Sequence, residues 1–141
     1  MSAASLSPRL AEVVAALPLQ PQFRVLEIGC GPGAAARAVA DLLTTGYVLG
    51  IDRSAAAIAQ ARAGSAELMG RGRLSFRQCA GEEFVLEDGE EPFDLVFAVR
   101  VGALDGRHPR AGEQILRRIA AATRPGARVF VDGAERPIPR V

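Results

Sequence analysis

Apolar positions recur along the chain in two rhythms, and their alternation lays out a fold. Leu6, Leu10, Val13, Val14 and Leu17 fall at helical spacing, with Ser7 as cap, Pro8 as first helical residue and Pro18 as stop. Residues 23–28 (FRVLEI) form a short apolar, β-branched run closed by glycine, the pattern of a buried strand. Residues 34–43 predict a helix with Val39, Leu42 and Leu43 inward and Arg37 and Asp41 outward. Residues 47–51 (YVLGI) predict a second strand, and Ser54 caps a helix running to about Met69. Third and fourth strands follow at 74–78 (LSFRQ) and 93–99 (FDLVFAV). Between them, residues 79–92 carry no helical stripe and predict a crossover made of loop with one turn of helix at most. Residues 111–123 predict a helix burying Ile115, Leu116 and Ile119, Pro125-Gly126 a turn, and 127–132 (ARVFVD) a fifth strand. Strands alternating with helices imply a doubly wound, mostly parallel α/β sheet of Rossmann-like type with right-handed crossovers.

Composition narrows the chemistry. The 141 residues are 49% hydrophobic and 23% charged, which fits one globular domain and excludes a disordered chain. No apolar run approaches the roughly 20 residues that span a bilayer. Glu12 and Pro18 bracket the only early apolar stretch, so no secretory leader is expected. Neither membrane association nor export is implied, and the expectation is a cytoplasmic protein. All 17 basic residues are arginine, which excludes lysine-dependent chemistry; with the abundant alanine it reads as a bacterial-like, GC-rich coding bias. A net charge of +1, and arginines 107, 110, 117 and 118 without interleaved aromatics, give no basis for nucleic-acid binding. Two cysteines and one histidine supply neither a disulfide framework nor a metal site.

The strongest local signal is Glu27-Ile28-Gly29-Cys30-Gly31-Pro32-Gly33, placed between a strand and a helix. Its alternating glycines let the backbone turn sharply and let a ligand lie on bare main chain. The spacing is GxGxG, unlike the GxGxxG of dinucleotide folds. Asp52 follows the second strand, 19 residues after Gly33, where a carboxylate can accept both hydroxyls of a ribose.

Four segments together resemble the class I S-adenosylmethionine-dependent methyltransferases. VLEIGCGPG (25–33) is close to that family's first motif, GIDRS (50–54) to its second, FDLVFAV (93–99) to its fourth-strand motif, and RPGARVFV (124–131) to its turn into strand five. The resemblance spans roughly 23–132. It implies S-adenosylmethionine as cofactor, with Gly29, Cys30, Gly31 and Gly33 against its methionine and ribose parts and Glu27 orienting the loop or the cofactor's amino group. It implies Asp52 on the ribose, Arg53 beside the adenine, Ala80, Gly81 and Glu82 along the adenine edge, and Val99 with Arg100 flooring the transfer site. The whole chain, 1–141, then reads as one methyltransferase-like domain: helix and lead-in to 22, cofactor-binding core 23–132, tail 133–141. The acceptor is expected to be a small molecule. The family's chemistry fixes no catalytic residue and calls for no metal.

The sequence departs from the family in three places. Ala80 stands where an aspartate usually receives the adenine amino group, so Glu82 or backbone has to serve. Arg53 stands where an apolar residue usually covers the adenine ring. Five strands are recognisable and the usual closing antiparallel pair is missing, since only GAERPIPRV remains after residue 132. Strand five is therefore expected to be an edge that a partner chain, a second copy included, or the tail covers. Readings that stay open are a catalytically silent cofactor-binding homologue acting as a sensor or partner-binding module, a nucleotide-dependent oxidoreductase, and a fragment of a longer enzyme. His108, with Asp105 nearby in the loop at 104–110, is the single candidate imidazole base, more ordinarily a solvated surface residue. Cys30 and Cys79 read as inert thiols, Asp94 as structural, and the acidic stretch at 82–91 as a solvated crossover.

Overall fold

A computed structural model describes residues 6–104 and 106–140. It contains six strands, β1 (Arg24–Ile28), β2 (Tyr47–Asp52), β3 (Leu74–Gln78), β4 (Phe93–Ala98), β5 (Thr123–Val131) and β6 (Ala134–Arg136), in the order β3-β2-β1-β4-β5-β6. The first five are parallel and β6 is antiparallel to β5. Strand order reverses between β1 and β4, and in open α/β sheets that reversal opens a crevice at the carboxyl ends.

Period-two alternation assigns each strand residue to one of two cores. Val25, Val48, Leu95 and Phe97 pack with α1 (Pro8–Ala16), α2 (Ala34–Leu42) and α3 (Ala55–Ala63) through Val13, Val39 and Ile58. Leu26, Leu49, Ile51 and Val96 pack on the opposite face with Ile115 and Ile119 of α5 (Pro109–Ala122). The same alternation sends Glu27 to the α1–α3 face.

Four features differ from the sequence pattern. The helix expected to run to Met69 breaks at Gly64 and Ser65 into α3 and α4 (Ala66–Gly70). Gly64 closes α3 through its N–H to Gln60 O, and the buried Ser65 hydroxyl accepts from Arg37 Nη1 at 2.9 Å. The Pro125-Gly126 turn lies inside β5 as an irregularity. Thr123 pairs with Phe93 and Arg128 with Leu95, so 124–127 bulge out, helped by Gly126 at φ +86°. The crossover after β3 is anchored: a 3₁₀ turn at Gly81–Glu83 leads into a buried Phe84, and Arg77 clamps Glu90 through both nitrogens at 2.9 and 3.3 Å. Part of the acidic stretch is thus a structural staple.

The sheet also has six strands where five were legible. Asp132 and Gly133, at φ +51° and +86°, form the two-residue turn of a β-hairpin, and β6 covers β5 at Val129–Val131. Of the two expected covers for that edge, the tail is the one seen. Its last described residues hold on further: Ile138 packs on the α5-side core, and the Arg140 guanidinium donates to Ala120 O, Thr123 Oγ1 and Arg124 O.

Candidate functional site

The glycine loop is built almost entirely from backbone. Gly29, Gly31 and Gly33 sit at φ +72°, +53° and +91°, values that side-chain-bearing residues rarely adopt. Ile51 O accepts both Gly29 N–H and Cys30 N–H at 2.8 and 2.9 Å, which ties the loop to β2. Asp52 Oδ2 accepts Gly31 N–H at 2.9 Å, and Asp52 Oδ1 accepts Ser54 N–H at 2.9 Å. One carboxylate therefore sets both the crest of the loop and the turn into α3, whose N-terminus Ser54 Oγ caps through Ala57 N–H. Each Asp52 oxygen still has a lone pair to offer.

Beside the loop opens a cleft of about 560 Å³ at the carboxyl ends of β1, β2, β3 and β4. Of the residues singled out in the sequence, Gly29, Asp52, Arg53, Ala80, Gly81 and Glu82 line it. A β-carbon on Gly31 would meet nothing within 4 Å, so the loop crest faces open space. Four expected residues lie behind the cleft wall. Gly33 starts α2, and a β-carbon there would press Phe76 at 3.0 Å and Ala61 at 3.2 Å, which makes it a packing glycine. Cys30 and Val99 are buried in the α1–α3 core, and burial together with Glu27 and Asp52 pushes the Cys30 thiol far up. Glu27 is also fully buried.

Glu27 matters even so. Burial, then the charge of Asp52, raises its carboxyl pKa well above the usual carboxylate range, while a hydrogen bond from the Ala36 backbone in the first turn of α2 works the other way. Its Oε1 has no partner. An unpaired carboxyl oxygen behind a glycine loop is a costly feature that a cationic neighbour would relieve.

The wall after β3 is fixed from α5. Gln114 Nε2 and Arg118 Nε donate to Glu82 O at 3.3 and 3.0 Å, and Gly81 packs closely on Ile115 and Ile28, each 3.2 Å from where a β-carbon would lie. Glu82 faces Arg53 across the cleft at 3.6 Å. Ala80 brings no polar side chain. The wall after β4 holds Arg100, Val101, Gly102 and Ala103; of these only Arg100 carried a sequence expectation. Arg100 adopts φ +58°, held by its N–H to Asp132 Oδ1 at 2.8 Å, a contact between residues 32 apart that no local pattern announces. Val101 covers Gly29, its Cγ2 standing 2.7 Å from where a β-carbon would lie. His108 lines the cleft at the N-cap position of α5, with no capping bond from its side chain among the described residues, and Asp105 lies outside the described residues. Asp94 has the structural part expected of it, accepting Arg24 N–H at 2.8 Å and facing Arg124 Nε at 3.3 Å. No helix among the described residues is long and apolar enough to cross a membrane.

Comparison with known proteins adds a family. A family model described as a methyltransferase domain matches residues 25–126. A trans-aconitate 2-methyltransferase of Streptomyces avermitilis is 31% identical over 88 residues, covering 61% of this chain and 32% of that protein. A second, from Variovorax paradoxus, is 29% identical over 133 residues, covering 92% of this chain and 47% of the relative. The chain thus spans half or less of the length of these curated relatives. Among solved structures, a SAM-dependent methyltransferase from Geobacter sulfurreducens in complex with S-adenosyl-L-homocysteine superposes with a TM-score of 0.67 at 26% identity, over 89% of this chain and 48% of that one. Phosphoethanolamine N-methyltransferase 1 of Haemonchus contortus shares the fold, with a TM-score of 0.73 at 20% identity over 87% of this chain and 24% of that one.

Proposed function

The chain belongs to the methyltransferase-domain family, and from that premise we propose that it is a class I S-adenosylmethionine-dependent methyltransferase domain whose cleft takes the cofactor and a small-molecule acceptor. The observation that carries this reading is the bond between Gly31 N–H and Asp52 Oδ2, which joins a side-chain-free loop to a carboxylate with lone pairs to spare, beside open space. The residues present suit the cofactor. The cleft volume lies in the range of small-molecule sites, Gly31 leaves its crest bare, and Glu27 offers an unpaired carboxyl oxygen behind the loop. At Gly29 the fit requires Val101 to withdraw, since its methyl group occupies the space above the backbone.

S-adenosylmethionine supplies an electrophilic methyl group on sulfur, so the chemistry is the cofactor's and the protein's task is position. In this reading Asp52 accepts the ribose hydroxyls while keeping the loop in register. Ala80, Gly81 and Glu82 form the adenine wall with Arg53 opposite, Glu27 balances the cofactor's positive charge, and Arg100 with Val101 borders the acceptor. The relatives named for trans-aconitate support a small-molecule acceptor. Titration of the chain with S-adenosylhomocysteine, followed by a radiolabelled-methyl assay, tests the proposal; saturable one-to-one binding is expected, and no binding refutes it.

Two smaller effects follow. Glu82 takes the part of the missing aspartate in this reading, so Glu82→Gln lowers S-adenosylhomocysteine affinity about tenfold, the lost charge-assisted bond being partly offset by the weak, exposed pair with Arg53 that no longer competes. Unchanged affinity by calorimetry would assign the adenine edge to backbone alone. Glu27 predicts a pH effect. Its raised pKa means that the free protein holds a proton which the unfolded chain has already lost, so stability falls as pH rises from the usual carboxylate range toward the raised value. A cation bound nearby favours the ionised form and expels that proton. Cofactor binding therefore strengthens with pH across the same window, and its heat depends on the ionisation enthalpy of the buffer. Both effects vanish in Glu27→Gln; buffer-independent heats in the unaltered protein would refute the assignment.

A further inference from the structure

The cleft divides by charge. At the β2–β3 end the ionisable groups answer one another: Asp52 is taken by two backbone N–H groups, and Arg53 faces Glu82. At the β4–α5 end every ionisable side chain among the described lining residues is basic. Arg100 and His108 line the cleft, and His108 and Ala111 are shared with an adjoining hollow of about 580 Å³ that Arg107 and Arg110 also line. The Arg107 guanidinium and the His108 imidazole stand against Gly102, within 3.1 and 3.9 Å of where a β-carbon would be, so both reach the cleft wall. Among the described residues, Arg100, His108 and Arg110 have no side-chain hydrogen bond or ion pair. The first turn of α5 behind them contains no acidic residue. Two guanidinium groups, Arg100 at the cleft and Arg110 at the adjoining hollow, with no carboxylate partner among the described residues, are suited to a planar anion, and the helix N-terminus adds to the same potential.

We propose that the β4–α5 end is an acceptor subsite for a small acid bearing at least two carboxylates: Arg100 and Arg110, with His108, hold one, and another receives the methyl group. This rests on the methyltransferase reading of the cleft. An oxygen of the second carboxylate attacks the methyl carbon. The O–C bond forms as the C–S bond breaks, the electron pair of the broken bond passes to sulfur, and a methyl ester and a neutral thioether result. A carboxylate is already ionised at neutral pH, so no proton leaves and no base is required. The methylated group loses its charge, which is why the grip needs a second anion. A hydroxyl or amine acceptor carrying a phosphate would satisfy the arginines but would also have to shed a proton.

The test uses the chain saturated with S-adenosylhomocysteine, titrated calorimetrically with trans-aconitate, with its trimethyl ester and with phosphoethanolamine. Trans-aconitate is expected to bind, more weakly as salt rises, while the ester does not bind and phosphoethanolamine binds less well. The double variant R100Q/R110Q weakens the acid by about tenfold or more, and R100K/R110K restores much of it. S-adenosylhomocysteine affinity, unchanged in both, reports that the fold and the cofactor end are intact. The proposal is overturned if the acid fails to bind at millimolar concentration, if ester or phosphoethanolamine binds as well as the acid, or if the glutamine variant leaves the acid's affinity unaltered. Failure of the unaltered chain to bind S-adenosylhomocysteine overturns the methyltransferase reading first, and this subsite with it.

Discussion

Asp52→Ala lowers S-adenosylhomocysteine affinity by about two to four orders of magnitude, since two hydrogen bonds to a carboxylate are worth roughly 1.5–3 kcal/mol each. The effect has two sources, and the structure allows them to be separated. Removing the carboxylate deletes the acceptor for ribose hydroxyls, and it also frees Gly31 N–H and Ser54 N–H, which it holds at 2.9 Å. Asp52→Asn keeps one oxygen acceptor but carries no charge. It should retain part of the loop geometry and fall between the two, with a melting temperature close to that of the unaltered protein. Both variants fold, because Asp52 is only half buried and the loop keeps its bonds to Ile51 O. Wild-type affinity in Asp52→Ala would remove the carboxylate from the site.

Phe84→Ala destabilises the fold by about 3–5 kcal/mol, the usual cost of emptying a fully buried phenylalanine position, and lowers the melting temperature by roughly 10–15 °C. Phe84 is 2% exposed, its ring lies 6.2 Å from that of Phe93, and the Arg77 guanidinium stacks over it at 5.6 Å. It is the apolar anchor of the crossover after β3. That crossover carries Ala80, Gly81 and Glu82, so the variant also loses cofactor affinity at temperatures where it remains folded. Thermal unfolding and titration at low temperature read the two effects apart. A loss below about 1 kcal/mol would mean that the crossover does not depend on this ring.

The glycine loop and Asp52 were legible because their chemistry is local: glycine spacing, a strand before, a helix after and an acid at the next strand end. Buried strands announced themselves by β-branched runs. Phe84 did not, because the three-residue run Phe84-Val85-Leu86 between glutamates is too short to show a period. β6 was masked by Pro137 and Pro139, yet both lie beyond it, and the Asp132-Gly133 pair was the signal to weigh. Gly64 marked the break between α3 and α4 in the same way. The β4 side of the cleft was least legible. Its shape depends on Arg100 held in a left-handed conformation by Asp132, and on Val101 laid over Gly29, contacts made across the fold. Glu27 was legible as a residue, but its isolation was not, since that follows from which face of β1 it shares with α2.

The most direct measurement is thermal unfolding of the purified chain alone and with S-adenosylmethionine, S-adenosylhomocysteine, NAD or NADP. Either sulfur nucleoside at 100 times its dissociation constant should stabilise the chain by about 2.7 kcal/mol, and neither dinucleotide should act. Stabilisation by NAD or NADP without the sulfur nucleosides, or by none of the four, would contradict the account.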